Sequence, residues 1–420
     1  MKIKSMGALA ALGGLLVAMP AAAQTCSPGG IGLDQAVTLA RTADLRPDAI
    51  RAAIDAARAE RAIAGFRPQD RFELSTENYP GFGLGSDIEN LDITGRYTRV
   101  WERGGKREAR EALADAGVGV AQADMAVVEA DIAYEIETLF VSLWSTRTRL
   151  ELAQERLAVA RDVQALVTRR VAAARDPELA ARRAATEVSL AESDIVTLEM
   201  QRDTLSAAIA AFWNEDSGNF DTCSFHPRAP ETGASAGAVQ PPELARYEAQ
   251  QTENRARMRL SQAEAVPDVT WGMGVRSFGL DDDVALVGSV SIPLGTPPRS
   301  SARVARDRAQ QARITAEADA LVQGAERQRR FLRQRAETAR QAWRRLETSA
   351  IADARDALDL ATDGYERGAF TYLDVIEARR TLFDLHARRI DLLETYFQAQ
   401  ASLARLGIES RSRPLPESQR

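Results

Sequence analysis

Proline is missing from three long stretches of this chain: between Pro80 and Pro177, between Pro177 and Pro227, and between Pro298 and Pro414. An internal proline removes a helical hydrogen bond and clashes with the preceding turn, so stretches without it admit very long helices. The composition agrees. Ala, Arg and Glu dominate the polar stretches and aromatics make up only 6% of residues, which suits extended rods better than one thick core.

Placing the breaks gives an order that runs twice. The first half reads as a helical start at Leu33 to Ala43 and a helix opened by Pro47 to about Gly65. Two extended segments follow, Phe72 to Asn78 and Asn90 to Trp101, around a turn with Gly81, Gly83 and Gly85. A long helix then runs from about Gly105 to Ala174, breaks at Asp176-Pro177, and a further helix reaches about Trp213. The second half repeats this with a helix over about Pro242 to Ala265 and extended segments Val269 to Phe278 and Val284 to Ile292, separated by Gly279 and Asp281-Asp282-Asp283. A long helix from about Ser300 to Glu366, a break around Gly368 and a helix from Thr371 to Leu406 complete it. Such a repeat implies two copies of one structural unit. We therefore expect a first repeat over 24–213, an inter-repeat linker over 214–241 that is rich in Gly, Pro, Ser and Ala, a second repeat over 242–408 and a tail over 409–420.

Length supports a side-by-side arrangement. A helix of some 70 residues spans on the order of 100 Å, while the two flanking helices of the first half sum to roughly 85 Å, a modest shortfall. Ile136, Leu143, Leu150 and Leu157 recur every seven residues, as do Ile376, Phe383, Ile390 and Phe397. That period keeps an apolar seam aligned between supercoiled helices.

The extended segments alternate. Leu91, Ile93, Tyr97 and Trp101 share a face opposite Asp92, Thr94, Arg96 and Thr98, and Phe72 and Leu74 oppose Glu73, Ser75 and Glu77. Val269, Trp271, Met273 and Val275 line up in the same way, as do Val284, Leu286, Val290 and Ile292. Alternation fits transmembrane barrel strands and equally a half-buried soluble sheet. Four strands cannot enclose a pore, so closure requires further copies or a very small sheet.

The start of the chain bears on compartment. Lys2 and Lys4 precede an apolar run from Met6 to Met19 and a small-residue stretch Ala21-Ala22-Ala23, the layout of a secretory signal peptide over 1–23. The run is short for a retained membrane span. Cys26 follows Ala23-Gln24-Thr25, a poor lipidation signal. The chain has two cysteines, Cys26 and Cys223, a candidate disulfide that spacing alone does not decide. A net charge of −6 argues against nucleic-acid binding.

No catalytic constellation stands out, and the two histidines, His226 and His386, form no ligand cluster with the cysteines. We expect no enzyme activity, no cofactor and no resident metal. Gly104-Gly105-Lys106 is not a phosphate loop, because the Walker pattern needs glycine at Val100 and Ser or Thr at Arg107. It reads as a strand-to-helix exit comprising Gly104, Gly105, Lys106, Arg107 and Arg110.

Two groups of residues carry a family resemblance. Glu77-Asn78-Tyr79-Pro80-Gly81 with Trp101-Glu102-Arg103-Gly104-Gly105-Lys106-Arg107-Glu108-Ala109-Arg110 resembles the strand region of TolC-like outer-membrane efflux proteins, most of all their heavy-metal (Czc-type) branch. Tyr365-Glu366-Arg367-Gly368 with Leu373-Asp374-Val375 resembles that family's helical-hairpin tip. The resemblance spans about Leu33 to Gly407. It implies a homotrimer in the outer membrane of a Gram-negative bacterium, each chain giving four strands to one β-barrel and its helices to a periplasmic α-barrel. It further implies a periplasmic adaptor and an inner-membrane RND-type pump as partners, outer-membrane lipid around the strands, and efflux of divalent heavy-metal ions. Tips at about Val171 to Glu178 and Tyr365 to Asp374 would then face the adaptor, with Tyr365, Gly368, Asp374, Asp176 and Pro177 as gate candidates. Asp374 is placed either to constrict the pore as an acidic ring or simply to start its helix. The first tip departs from the pattern, with Val171-Ala172-Ala173-Ala174 where the second has its tyrosine and glycine. The remaining alternatives are a duct for drugs or other small molecules and a periplasmic coiled-coil scaffold without a barrel.

Overall fold

Asp44 is the first junction that decides the chain's path. It ends helix α1 (Leu33–Ala43) and caps helix α2 (Leu45–Ala64), its carboxylate accepting the Arg46 backbone N–H at 2.7 Å. The helix expected to open at Pro47 thus begins two residues earlier, because a capping aspartate satisfies its free N–H groups. This computed structural model describes residues 30–77, 91–222, 225, 239–278 and 283–407. The signal peptide, Cys26, Cys223, the turn with Gly81, Gly83 and Gly85, Asp281, Asp282 and the 409–420 tail lie outside the described residues.

Strands β1 (Arg71–Glu77) and β2 (Asp92–Trp101) lead into helix α3 (Lys106–Ala172) and then α4 (Glu178–Ala210), which ends in a 3-10 turn over Ala211–Trp213. The second half repeats the order as α5 (Pro242–Ala263), β3 (Val269–Ser277), β4 (Val284–Ser291), α6 (Thr296–Arg345), a π turn over Leu346–Ala350, α7 (Ile351–Glu366) and α8 (Tyr372–Arg405). Two details differ from expectation. Helix α6 starts at Thr296, not Ser300: Gly295 turns the chain at φ 81°, and Pro297 and Pro298 occupy a first turn whose N–H groups need no partner. The second long rod is also interrupted by the π turn, whereas α3 runs unbroken for 67 residues.

α3 is the spine. α2 and α4 pack along one side of it and α5 and α8 along the other, and beyond these lie α6 and α7. α1 folds back onto α3 and the 3-10 turn, filling the length that α2 and α4 leave short. Its Ala36, Val37 and Ala40 join Ile136, Phe140, Leu143, Ile209 and Phe220 in the largest buried cluster. The expected linker therefore starts pinned. Ile31 bridges Phe220 through backbone hydrogen bonds, and Arg147 donates to the Phe220 carbonyl at 2.6 Å. The seven-residue seams are buried at Ile136, Leu143 and Leu150, and at Phe383, Ile390 and Phe397.

The four strands form one antiparallel sheet in the order β1-β2-β3-β4. Its register decides the sheet's chemistry, because a slip of one residue would turn a strand's side chains over. Leu74 pairs Gly95, Gly95 pairs Val275 and Val275 pairs Leu286, while Trp271 pairs Val290 and Phe72 pairs Tyr97. The apolar rows of all four strands thus merge on one face, which none of the described residues covers; Leu286 is 88% exposed. Glu73, Arg96, Thr94 and Arg276 share the other face, where Arg276 bridges Glu77 and Asp92 at 2.7 and 2.6 Å. Among the described residues no helix is long and apolar enough to cross a membrane.

Candidate functional site at the hairpin tips

Two helical hairpins, α3–α4 and α7–α8, turn at the end of the rods away from the sheet. Both turns use the same backbone. Gly368 sits at φ 78° and Ala174 at φ 53°, each following a rod that closes with a six-residue hydrogen bond: Ala369 N–H to the Gly364 carbonyl, and Arg175 N–H to the Arg170 carbonyl. The first tip keeps this conformation with an alanine, so its sequence departure changes the surface and leaves the path intact. Gly364 is required by packing, since a Cβ there would collide with the Phe370 ring. Pro177 occupies the cap position of α4, as Thr371 does for α8.

Tyr365 and Asp176 meet across the seam between the hairpins. Tyr365 is 1% exposed, and its hydroxyl donates a short hydrogen bond to Asp176 Oδ2. Arg170 completes the group. Its Nε donates to Asp176 Oδ2 at 2.8 Å and its Nη1 to the Tyr365 carbonyl at 2.8 Å, and its guanidinium lies 4.3 Å from the Tyr365 ring centre. The hydrogen bond from Arg170 holds the Asp176 carboxyl below its usual range, against the effect of burial, and the Tyr365 hydroxyl helps. Burial, then Asp176, pushes the Tyr365 phenol up, so it stays a donor. Beneath the group lies an apolar plug of Val163, Val167, Ala180, Ala184, Tyr372 and Val375, drawn from α3, α4 and α8.

Asp374 stands outside this network. Its Oδ2 accepts from the Thr371 N–H and hydroxyl, both at 2.7 Å, in a capping box at the start of α8. The Thr371 hydroxyl, then its N–H, holds the exposed Asp374 carboxyl below the usual range, so it remains charged. Sequence reasoning missed Arg170, which lies six residues before its partner in no recognisable motif, and also Glu187 and Arg379 higher in the seam.

At the other end of the rods, Gly104 and Gly105 take φ 78° and 70°, and a Cβ on Gly104 would lie 2.8 Å from Val266. Lys106 reaches Asp268 at 2.7 Å, Arg107 approaches Glu111 at 3.8 Å, and Arg110 pairs with Glu102 and donates to the Phe66 carbonyl at 3.2 Å. Lys106 thereby ties the β2–α3 junction to the α5–β3 junction. Among the described residues no group of three or more His, Cys, Asp or Glu is placed to hold a metal ion.

A sheet with one bare apolar face, carried on long paired rods with a closed turn at their far end, is the architecture of outer-membrane channel subunits. The fold matches solved channels: CusC at a TM-score of 0.74 and 15% identity, covering 89% of this chain and 91% of that one. It also matches VceC from Vibrio cholerae at 0.69 and 19%, covering 89% and 96%. In sequence, the chain is 29% identical over 322 residues to the cobalt-zinc-cadmium resistance protein CzcC of Cupriavidus metallidurans, covering 73% of this chain and 74% of that protein. It is 27% identical over 300 residues to the nickel-cobalt-cadmium resistance protein NccC of Alcaligenes xylosoxydans, covering 68% and 66%. No protein-family model matches. In fold the chain is similar to the TolC-like outer-membrane efflux channels, and in sequence to members of their heavy-metal (Czc-type) branch.

Proposed function

We propose that three copies of this chain form the outer-membrane duct of a tripartite efflux system that exports divalent heavy-metal ions. The observation that carries this reading is the pair of unfinished edges. β1 and β4 end the sheet on opposite sides, and each continues into an outermost rod, α2 above α4 on one side and α6 above α7 on the other. An unpaired strand edge in lipid leaves its N–H and C=O groups unsatisfied, so the sheet must close on other copies. Exposed apolar side chains on the outer rods support closure there too, including Met200 on α4 (68% exposed) and Leu360 on α7 (65%).

In this assembly the apolar sheet face meets lipid and the mixed charges of Glu73, Arg96, Asp92 and Arg276 line the bore. A wall of both signs holds a cation weakly, as a conduit must. The reading includes no catalytic step and no cofactor; an inner-membrane RND-type pump supplies the energy and a periplasmic adaptor meets the tips. Tyr365, Asp176 and Arg170 tie the hairpins shut, Gly368 and Pro177 shape the two turns, and three charged Asp374 side chains would ring the entrance. The metal cargo is carried over to this chain from the metal resistance for which CzcC and NccC are named.

Deleting the gene and challenging the strain with cobalt, zinc, cadmium and nickel salts beside a drug panel tests the cargo. Loss of metal tolerance is expected; unchanged metal tolerance with new drug sensitivity would assign the duct to small-molecule export. Full solubility of the mature protein without detergent would favour a periplasmic scaffold.

A further inference from the structure

The seam between the hairpins is tied a second time, above the tip. Arg379 lies about 10 Å into α8, judged from the helical rise. It is 4% exposed, and its Nη2 donates to Glu187 Oε2 on α4 at 2.6 Å. Arg380 approaches the other Glu187 oxygen at 3.9 Å. The pair crosses the same seam as Tyr365 and Asp176, linking the second hairpin to the first.

Beside it is a feature of opposite sign. Tyr372 is 8% exposed, and its hydroxyl is buried with no hydrogen-bond partner. Its ring lies 6.1 Å from that of Tyr365 and tilted by 47° to it, and Arg379, Glu187 and Arg183 are the charges around it. Burial draws the Arg379 guanidinium's pKa down and pushes the Tyr372 phenol's up. Neither feature is what a permanent joint would use. A buried ion pair is often no better for stability than apolar side chains of the same size, and an unpartnered hydroxyl opposes burial. The small residues around them, Ala180, Ala184 and Ala361, show that this seam closes elsewhere by plain apolar contact.

We propose that Arg379 and Glu187 form a second lock on the closed duct, and that the Tyr372 hydroxyl works against it, so that the hairpins are poised to part over their lower length and not at the tip alone. All three are positioning residues. Separation hydrates the ion pair and gives the hydroxyl water as a partner, so the removal of each should shift opening in opposite directions. The inference rests on the reading of this chain as a gated duct.

The test is single-channel conductance of the purified full-length protein in planar lipid bilayers, with the thermal stability of the assembled particle measured in parallel. Glu187→Gln leaves Arg379 buried without its anion and should raise the open fraction on the order of tenfold. Tyr372→Phe removes a group that has no bond to lose, so it should fold, and in a leaky Tyr365→Phe background it should lower the open fraction by several-fold while raising thermal stability. Glu187→Gln matching the parent, or both variants shifting opening in the same direction, overturns the second lock. A wild-type protein that forms no assembly and passes no current overturns the duct reading itself, so the two failures are distinguishable.

Discussion

Tyr365, Asp176 and Arg170 concentrate the tip's holding energy in three side chains. Removing the Tyr365 hydroxyl takes one charge-assisted hydrogen bond, worth about 1.5–3 kcal/mol, from the closed arrangement. Tyr365→Phe should therefore raise conductance in bilayers and sensitise cells to bulky antibiotics, and a silent variant in both assays would count against the tie. The same group fixes the pH response. Arg170 depresses the Asp176 pKa in the folded protein, so the carboxylate's contribution is complete above its unfolded value of about 4 and is lost only as pH falls through the lowered value. Conductance should be flat from about pH 8 to about pH 5 and rise only in stronger acid; a step near neutrality would point to another group. Ala174 offers a stability test at the companion turn. Its φ of 53° disfavours any residue with a Cβ, so Ala174→Gly should stabilise the protein by about 1 kcal/mol, read as a higher melting temperature. Gly104→Ala should destabilise, since Val266 leaves no room.

At the scale of elements, period and punctuation made most of the molecule legible. The proline-free stretches and paired breaks locate α3, α4, α8 and the joint span of α6 and α7 to within a few residues, and period-two alternation marks all four strands. What escaped had non-local causes. The start of α6 depended on a glycine at positive φ, and the π turn leaves no mark in the hydrophobic period. The pairing of Tyr365 with Asp176 joins residues of two hairpins that only the folded seam brings together. Arg170, Glu187 and Arg379 are ordinary members of arginine- and glutamate-rich helices until that seam is formed. Asp374, which motif reasoning singled out, was legible as both a helix start and a gate, and its bonds to Thr371 account for the first role. The sheet's register makes a sharper prediction. Leu286→Arg places a charge on the lipid face and should cost about 2–4 kcal/mol near the midplane, whereas Ser289→Arg on the opposite face should assemble normally. Equal yields of folded protein in the outer membrane would contradict the assigned faces.

For the whole molecule, one architectural fact governs the rest: the protomer is an open strip, two repeats wide, with a strand edge and an outer rod exposed on either side. A strip of four strands and four rod columns has a bare apolar face and nothing to enclose, and it acquires a lumen only by joining copies of itself. Extracting the mature protein from outer membranes in mild detergent and weighing the particle by native mass spectrometry tests this most directly. The account predicts a particle of three chains that dissociates on heating. A monomer that keeps its helical content and thermal stability in detergent would contradict it.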